Sequence, residues 1–250
     1  MMLDALRAIK RGINTEISRL DERFSRRFQP GKDPFIDIRA LTVAGESPTV
    51  FDIGGNRGQS ILNFRKRFRV PLIHSFEPNP RAFADLTNTA GKISGVRLNN
   101  VAIGSFRGTK IFVENSMSHM SSFFEPGETC WGQVIGRHPL PVTTFDDYCR
   151  QEGIDTVDIL KSDTQGFELE VLKGAADAIA NHRIHMIYIE VIFSPMYVGM
   201  PPFYETLQFL KERGLQLVSF YKMYYQNERL SWTDALFIDP KYTGSVQCPI

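Results

Sequence analysis

The sequence predicts an α/β fold with a doubly wound, mostly parallel seven-stranded sheet and an N-terminal helical extension. Two observations support this. From Thr49 onward, short apolar runs bounded by turn residues alternate with amphipathic segments, as expected for repeated β-α-β units. The run 184–193 is apolar on both faces, which is typical of an internal strand. We assign residues 1–45 to the extension and 46–250 to the α/β domain.

The composition excludes several classes of protein. With 42% apolar and 23% charged residues, the 250-residue chain has the balance of a globular protein. Its 29 basic and 28 acidic residues lack the excess of a charge-driven nucleic-acid binder. The pattern shows no secretory leader, no CxxC pair and no apolar run of roughly 18 residues, the length of a membrane span. We therefore expect a cytoplasmic protein without a transmembrane segment or a cysteine-rich zinc site.

The start of the chain differs from the rest. Residues 1–28 carry seven basic and four acidic residues, and their apolar residues recur every three or four positions, which predicts an amphipathic helix. Such a helix packs on its own domain, mediates self-association or lies on a membrane surface, and the pattern leaves all three open. The segment 29–34, QPGKDP, is expected to end it.

Each predicted element follows from its own residues. The main strands are placed on apolar runs at 50–53, 71–76, 96–103, 157–161, 184–193, 215–221 and 235–239, with a short extra strand at 109–113. Helices are predicted at 58–69, 80–89, 168–180 and 203–213, where Pro80 suits a first turn and Gly214 a helix end. Residues 114–140 fit neither pattern, and we interpret them as a cap over a binding site.

A glycine-rich loop directly after the first strand carries the strongest functional signal. It reads Asp52-Ile-Gly54-Gly55-Asn56-Arg-Gly58, and Glu77 ends the next strand. Glycines there let a ligand approach the backbone, and an acid at the second strand end can accept hydrogen bonds from ribose hydroxyls. The loop matches neither the dinucleotide fingerprint nor a P-loop. An acid before the first glycine suits an ammonium group, so the pattern favours S-adenosyl-L-methionine.

Six blocks in order resemble the FkbM family of S-adenosylmethionine-dependent methyltransferases. They are VFDIGGNRGQS (50–60), FEPNPRAF (76–83), NNVAIGS (99–105), VTTFDDY (142–148), DILKSDTQGFELEVLKGA (158–175) and LSWTDALFI (230–238). Two positions depart from the usual pattern: Gly55 stands where alanine is common, and Gln165 replaces a glutamate.

The resemblance implies a Rossmann-like class I methyltransferase fold and a set of cofactor contacts. Asp52, Gly54, Gly55, Asn56 and Gly58 are expected around the methionine part. Glu77 is expected at the ribose, and Asn100 and Val101 near the adenine. From its place at the end of the fourth main strand, Asp163 is also expected among the cofactor-binding residues.

Four residues are candidates for the chemistry. Asp163 comes directly after the fourth main strand, and its side chain is expected on the same side of the strand as that of Lys161. It is a candidate for positioning the acceptor or removing its proton, and the alternative is a structural carboxylate at the strand end. Glu190 interrupts an apolar strand, so it needs a partner or a function. His119, in the cap, is a candidate base or a solvent-exposed loop residue, and Asp234 approaches from the last strand.

The sequence thus predicts an O-methyltransferase acting on a hydroxyl of a small molecule or glycan. A nitrogen or nucleic-acid acceptor and a non-catalytic adenosine-binding scaffold are the alternatives. We predict no metal, because the spacing of Asp163, Glu190 and Asp234 does not show that they converge, and no stable nucleic-acid partner. The N-terminal helix would mediate any homo-oligomer.

Overall fold

The computed structural model describes residues 30–242. The strands are β1 (Thr49–Ile53), β2 (Leu72–Phe76), β3 (Val96–Asn99), β4 (Ala102–Ile103), β5 (Gly108–Asn115), β6 (Glu125–Pro126), β7 (Val134–Thr143), β8 (Val157–Ser162), β9 (Ile184–Ile192), β10 (Tyr197–Val198), β11 (Gln216–Phe220), β12 (Tyr224–Gln226) and β13 (Arg229–Ile238). The helices are α1 (Pro34–Leu41), α2 (Gln59–Arg67), α3 (Pro80–Ala90), α4 (Phe145–Glu152), α5 (Glu168–Gly174), α6 (Ala176–Ala180) and α7 (Phe203–Glu212). Short 3₁₀ turns span Ser118–Met120 and Pro240–Tyr242. Within these residues, none of the helices has the length and apolar character needed to span a bilayer.

The main sheet has the order β11-β13-β9-β8-β1-β2-β3, with β12 added beside β13. The strands from β9 to β3 are parallel, whereas β13 runs antiparallel to both β9 and β11. This confirms the predicted doubly wound, mostly parallel sheet and the internal position of the strand at 184–193. The chain moves outward from β1 to β3 and then returns to β8, so the strand order reverses between β1 and β8. Ligands of open α/β sheets bind at this point, beyond the carboxyl ends of the strands.

Two apolar cores cover the two faces of the sheet. Because side chains alternate along a strand, Val50 and Ile159 face α1–α3, whereas Phe51 and Leu160 face α4–α7. Ile61 and Phe64 of α2 are fully buried on the first face, and Phe145 and Leu172 of α4 and α5 lie on the second. Helices packed on both faces hold the strand ends, and hence the loops that follow them, in fixed positions.

The turn after β2 fixes the side chain of Glu77. Asn79 caps α3, since its side-chain oxygen accepts from Arg81 N at 2.9 Å, and Pro80 occupies the first helical position. The backbone N–H of Asn79 in turn donates to Glu77 Oε1 at 2.9 Å. The sequence Glu-Pro-Asn-Pro therefore forms the N-cap of α3 and also orients the Glu77 carboxylate.

Helix α1 lies within residues 1–45, the range predicted as an extension, and packs on the sheet domain. Asp33 caps it by accepting from Phe35 N and Ile36 N. Ile38 is fully buried in the first core, and the Tyr221 hydroxyl donates to Asp37 at 2.9 Å. The helix predicted for residues 1–28 lies outside the described residues, and the division at residue 45 stays a prediction.

Several predicted boundaries differ from those of the structure. The predicted cap at 114–140 is too long, because β5 continues to Asn115 and residues 134–143 form β7, which pairs with β5. Proline is tolerated at positions 139 and 141 of this strand, because there β7 has a partner on one side only. The predicted strand 96–103 is interrupted at Asn100 and Val101, and the predicted helix 168–180 divides at Ala175.

Candidate active site

The candidate site is a cleft at the carboxyl ends of β1, β2, β8 and β9. It consists of two adjoining cavities of about 220 Å³ and about 380 Å³. Both are lined by Gly54, Asn56, Ser118, His119 and Asp163. The glycine loop, the end of β8 and the 3₁₀ turn of the cap therefore meet where the cavities join.

The glycine loop turns sharply between β1 and α2. The N–H groups of Gly54 and Gly55 both donate to Phe76 O, at 2.9 and 3.0 Å, which ties the loop to the end of β2. Gly54 has φ +83°, and Asn56 also lies in the left-handed region with φ +44°. Asparagine tolerates this region better than most residues, so Asn56 fits where the backbone conformation favours glycine.

We expect Gly54→Ala to destabilise the domain by about 2–4 kcal/mol. A Cβ at Gly54 would lie 1.9 Å from the carbonyl oxygen of Asp163, so the loop and the end of β8 would have to separate. Gly153→Ala is the matched control, because Gly153 also has a positive φ, +67°, but open space around its Cβ position. Urea unfolding of both variants measures the difference. Equal losses of stability would show that the close contact at Gly54 contributes nothing.

Asp52 lies behind the loop and supports it. Its side chain is fully buried and lines neither cavity. Its carboxylate accepts from Ser60 Oγ at 2.7 Å and Ser75 Oγ at 2.9 Å, and Lys161 Nζ lies 3.2 Å away. The buried carboxylate therefore supports the loop from behind, and the contact with the methionine ammonium expected from the sequence stays a prediction.

Lys161 connects Asp52 to the cleft. Its buried ammonium lies 3.7 Å from Asp163 Oδ2 and donates to Gly54 O at 3.4 Å. Burial lowers the pKa of Lys161, but the carboxylates of Asp52 and Asp163 outweigh it and raise the pKa above its ordinary value. Lys161 thus remains a cation that holds the loop and the end of β8 together.

Glu77 is a buried carboxylate on the wall of the smaller cavity. Its Oε2 accepts from Asn56 N and its Oε1 from Asn79 N, both at 2.9 Å. Burial raises the pKa of Glu77 to about 7, although these two N–H donors oppose the rise. Each carboxylate oxygen has a second lone pair, so Glu77 can accept two further hydrogen bonds from a diol.

Aromatic and aliphatic side chains complete the smaller cavity. They are Ile53, Phe76, Val101, Ile103, Phe112, Phe123 and Phe167. Val101 is thus on the wall of this cavity, whereas Asn100 lines neither cavity and instead donates to Glu77 O at 2.8 Å and Pro78 O at 3.1 Å. The expected position of both residues near the adenine stays a prediction. A flat heterocycle such as adenine fits an aromatic wall of this kind next to a ribose-binding carboxylate.

Acidic side chains gather at the far end of the cleft. Asp163 lines both cavities, with 44% of its side chain exposed, and Glu190 lines the smaller one. The amide of Gln165 donates to Asp163 Oδ1 at 3.0 Å and to Glu190 Oε2 at 2.8 Å, and the Tyr197 hydroxyl donates to Gln165 Oε1 at 2.8 Å. Burial raises the pKa of Glu190 well above its ordinary value, and the Asp163 and Glu168 carboxylates raise it further.

Asp234 and His119 reach the cleft from other directions. Asp234 faces the larger cavity beside Tyr188, and burial together with the Asp163 carboxylate raises the pKa of Asp234 to about 6. His119 is exposed in the 3₁₀ turn of the cap and lines both cavities. The structure thus brings all four predicted catalytic residues to the walls of the same cleft. Among residues 30–242, no three His, Cys, Asp or Glu side chains are arranged to hold a metal ion.

Sequence reasoning missed two parts of this cleft. The aromatic wall left no local signal, since Phe112, Phe123 and Phe167 come from separate segments. Gln165 was noted only as a departure from the family pattern. In the structure it has φ +56°, and its amide separates two carboxylates that would otherwise face each other.

Comparison with known proteins gives a family match over most of the chain. The profile described as the methyltransferase FkbM domain matches residues 52–217. The 2-O-methyltransferase NoeI of Sinorhizobium fredii is 26% identical over 180 residues, which cover 65% of this chain and 71% of NoeI. The profile match spans the glycine loop, Glu77 and the segment from Lys161 to Gln165.

Solved structures also align with much of the chain. A precorrin-6y C5,15-methyltransferase from Geobacter metallireducens aligns over 82% of this chain and 87% of its own, with a TM-score of 0.44 and 10% identity. An rRNA methylase from Streptococcus thermophilus aligns over 82% of this chain and 93% of its own, with a TM-score of 0.47 and 9% identity.

Proposed function

The chain belongs to the FkbM methyltransferase family, and on that basis we propose that it methylates a hydroxyl group of a carbohydrate or other small natural product. The enzyme is a methyltransferase that depends on S-adenosyl-L-methionine. The oxygen acceptor is supported by the relative named as a 2-O-methyltransferase. The observation that carries the proposal is the junction of the two cavities, where Asp163 and His119 meet the glycine loop.

We place the cofactor along the glycine loop. The adenine would lie against the aromatic wall, the ribose hydroxyls would donate to Glu77, and the methionine part would follow Gly54 and Asn56. The sulfonium methyl would then point toward the junction of the cavities, beside Asp163. In this arrangement Asp52 acts through Lys161 and the loop.

The reaction would be an in-line displacement. The acceptor oxygen attacks the methyl carbon, the bond from that carbon to sulfur breaks with its electron pair going to sulfur, and the hydroxyl proton passes to a base. Asp163 is the best-placed base, because its carboxylate is partly exposed at the junction and held by Gln165 and Lys161. His119, in the cap above the same point, is the second candidate.

The charge of the cleft favours a neutral acceptor. Its walls carry four carboxyl groups, those of Glu77, Asp163, Glu190 and Asp234. The two cationic side chains on the walls already have carboxylate partners, since Arg57 pairs with Asp85, and Lys161 with Asp52 and Asp163. Since phosphate groups are held by cationic side chains, these walls disfavour a nucleic-acid acceptor. We also propose a cytoplasmic location, which the free thiols of Cys130 and Cys149 favour.

A transfer assay tests the proposed function directly. Purified protein is incubated with S-adenosylmethionine labelled in its methyl group and with separate panels of glycans, phenols, amines and RNA. We expect the label in a methyl ether of a hydroxylated acceptor, and none with heat-denatured protein. Label found only in an amine or in RNA would contradict the proposal. Binding of S-adenosylhomocysteine without transfer to any panel would favour a non-catalytic role.

A further inference from the structure

Three aromatic rings form a cluster beside the cleft, and we call Trp131, Trp232 and Tyr224 the aromatic ledge. The Trp131 and Trp232 ring centroids are 5.6 Å apart with the planes at 84°, and Tyr224 stacks on Trp232 at 4.7 Å and 6°. Trp131 is 45% exposed, whereas the other two rings are only partly exposed. Trp131 therefore presents an open ring that contacts Trp232, which Tyr224 in turn supports by stacking on it.

The ledge is joined to both walls of the cleft. On β13, Trp232 pairs with Ile192 of β9, and Asp234 pairs with Glu190. Residues two apart on a strand share a face, so Trp232 lies about 7 Å along the strand from Asp234. On the cap side, buried Asn115 donates to Trp131 O at 2.8 Å and accepts from Met117 N at 2.9 Å, directly before the turn that carries His119.

A chain of polar side chains fixes the loop that carries Trp131. Thr129 Oγ1 donates to Ser194 Oγ at 3.1 Å, Ser194 and Ser231 share a hydrogen bond of 2.8 Å, and Ser231 donates to Gln226 Oε1 at 2.6 Å. The Gln226 side-chain amide donates to Thr129 O at 3.4 Å, which closes the chain of hydrogen bonds. The loop is thus held against the end of β9 and the β12–β13 hairpin. A preorganised ring loses little freedom when it binds a ligand.

We propose that Trp131 is a stacking platform for a sugar ring next to the one that is methylated, so that the acceptor is an oligosaccharide or glycoside of at least two rings. The inference rests on the proposed function and extends it from the reacting hydroxyl to the neighbouring ring. An exposed indole offers a flat apolar face with π electrons, which complements the C–H face of a pyranose while the sugar hydroxyls remain at the rim. Lys222 Nζ lies 4.7 Å from the Tyr224 ring centroid, which adds a cationic hydrogen-bond donor to the same cluster.

Intrinsic fluorescence tests the ledge, because Trp131 and Trp232 are the only two tryptophans in the chain. The full chain, saturated with S-adenosylhomocysteine, is titrated with cello-, chito- and malto-oligosaccharides, with alkyl glycosides and with the matching monosaccharides. We expect a saturable change in emission with at least one oligosaccharide or glycoside. Trp131→Ala should weaken that binding by about tenfold, with Trp232 as the remaining reporter, and Trp131→Phe should restore most of it.

Tyr225→Ala is the matched control. Tyr225 is 64% exposed on the same hairpin, and among the described residues it makes no ring contact with the ledge. Its replacement should leave the affinity unchanged. Absence of any emission change across the panel, or equal affinities for wild type and Trp131→Ala, would overturn the platform.

Measurement of methyl transfer in the same samples separates the two proposals. Transfer to a glycan hydroxyl with an affinity independent of Trp131 would reject the platform and leave the proposed function standing. Binding that depends on Trp131, without transfer to any hydroxyl, would support the platform and contradict the proposed function.

Discussion

Replacement of Glu77 by glutamine is expected to weaken the binding of S-adenosylhomocysteine by about a hundredfold or more. In the proposed complex, the carboxylate accepts from both ribose hydroxyls while it still accepts from Asn56 N and Asn79 N. A glutamine places an NH₂ group opposite one of these N–H donors and loses the charge that strengthens the ribose contacts. Isothermal titration calorimetry measures the change in affinity.

The pH dependence of the wild type gives a second readout of the same contact. Since burial raises the pKa of Glu77 to about 7, the free protein takes up a proton there as the pH falls below neutrality. The protonated carboxyl has fewer acceptor positions, so the cofactor binds the ionised form. Affinity should be constant above about pH 7 and fall below it by up to about tenfold per pH unit. Glu77→Gln should flatten this profile.

A matched control separates the ribose contact from the general charge of the region. Asp85 lies on α3 near the loop, with half of its side chain exposed, and pairs with Arg57 at 3.3 Å. Asp85 lines neither cavity, although its partner Arg57 lines the larger one. Asp85→Asn therefore removes one negative charge without removing a group from the ribose site, so the affinity and its pH profile should stay close to those of the wild type. If Asp85→Asn and Glu77→Gln weaken binding equally, Glu77 does not hold the ribose.

The fold, and the position of Glu77 beside the glycine loop, could be predicted from the sequence because both follow from local patterns. The strand before Gly54 and the turn from Glu77 to Pro80 each occupy a few consecutive residues. In a parallel sheet, the carboxyl ends of neighbouring strands meet at one edge, so two local patterns suffice to place Glu77 opposite the glycine loop.

The rest of the cleft depends on contacts between distant segments. Asp52 looked available for a ligand, because nothing local shows that Ser75 and Lys161 already occupy its carboxylate. The Gln165 bridge likewise needs Glu190 from the next strand and Tyr197 beyond it. Such partners are set by sheet register and packing, which the spacing of residues in one sequence does not specify.

Among the candidate catalytic residues, we expect Asp163→Asn to have the largest effect on the chemical step. The asparagine keeps the size of the side chain but cannot take the hydroxyl proton, and loss of a general base typically lowers kcat by about 10²–10⁴-fold. Glu190 is a weaker candidate, because it lines only the smaller cavity and its Oε2 already accepts a hydrogen bond from Gln165. Transfer to the acceptor found in the labelled-methyl assay, measured with cofactor in excess, reports the change in kcat.

Asp234→Asn is the control that tells whether Asp163 acts as the base or only through its negative charge. Asp234 is a carboxyl group of the same cleft, but it lines only the larger cavity, whereas Asp163 lines both. If Asp163 only adds negative charge near the sulfonium, both variants should lose similar activity and the same cofactor affinity. If Asp163 takes the proton, its variant alone should lose kcat, with the affinity for S-adenosylhomocysteine nearly unchanged. A full rate in Asp163→Asn would transfer the role of base to His119, which faces the same junction from the cap.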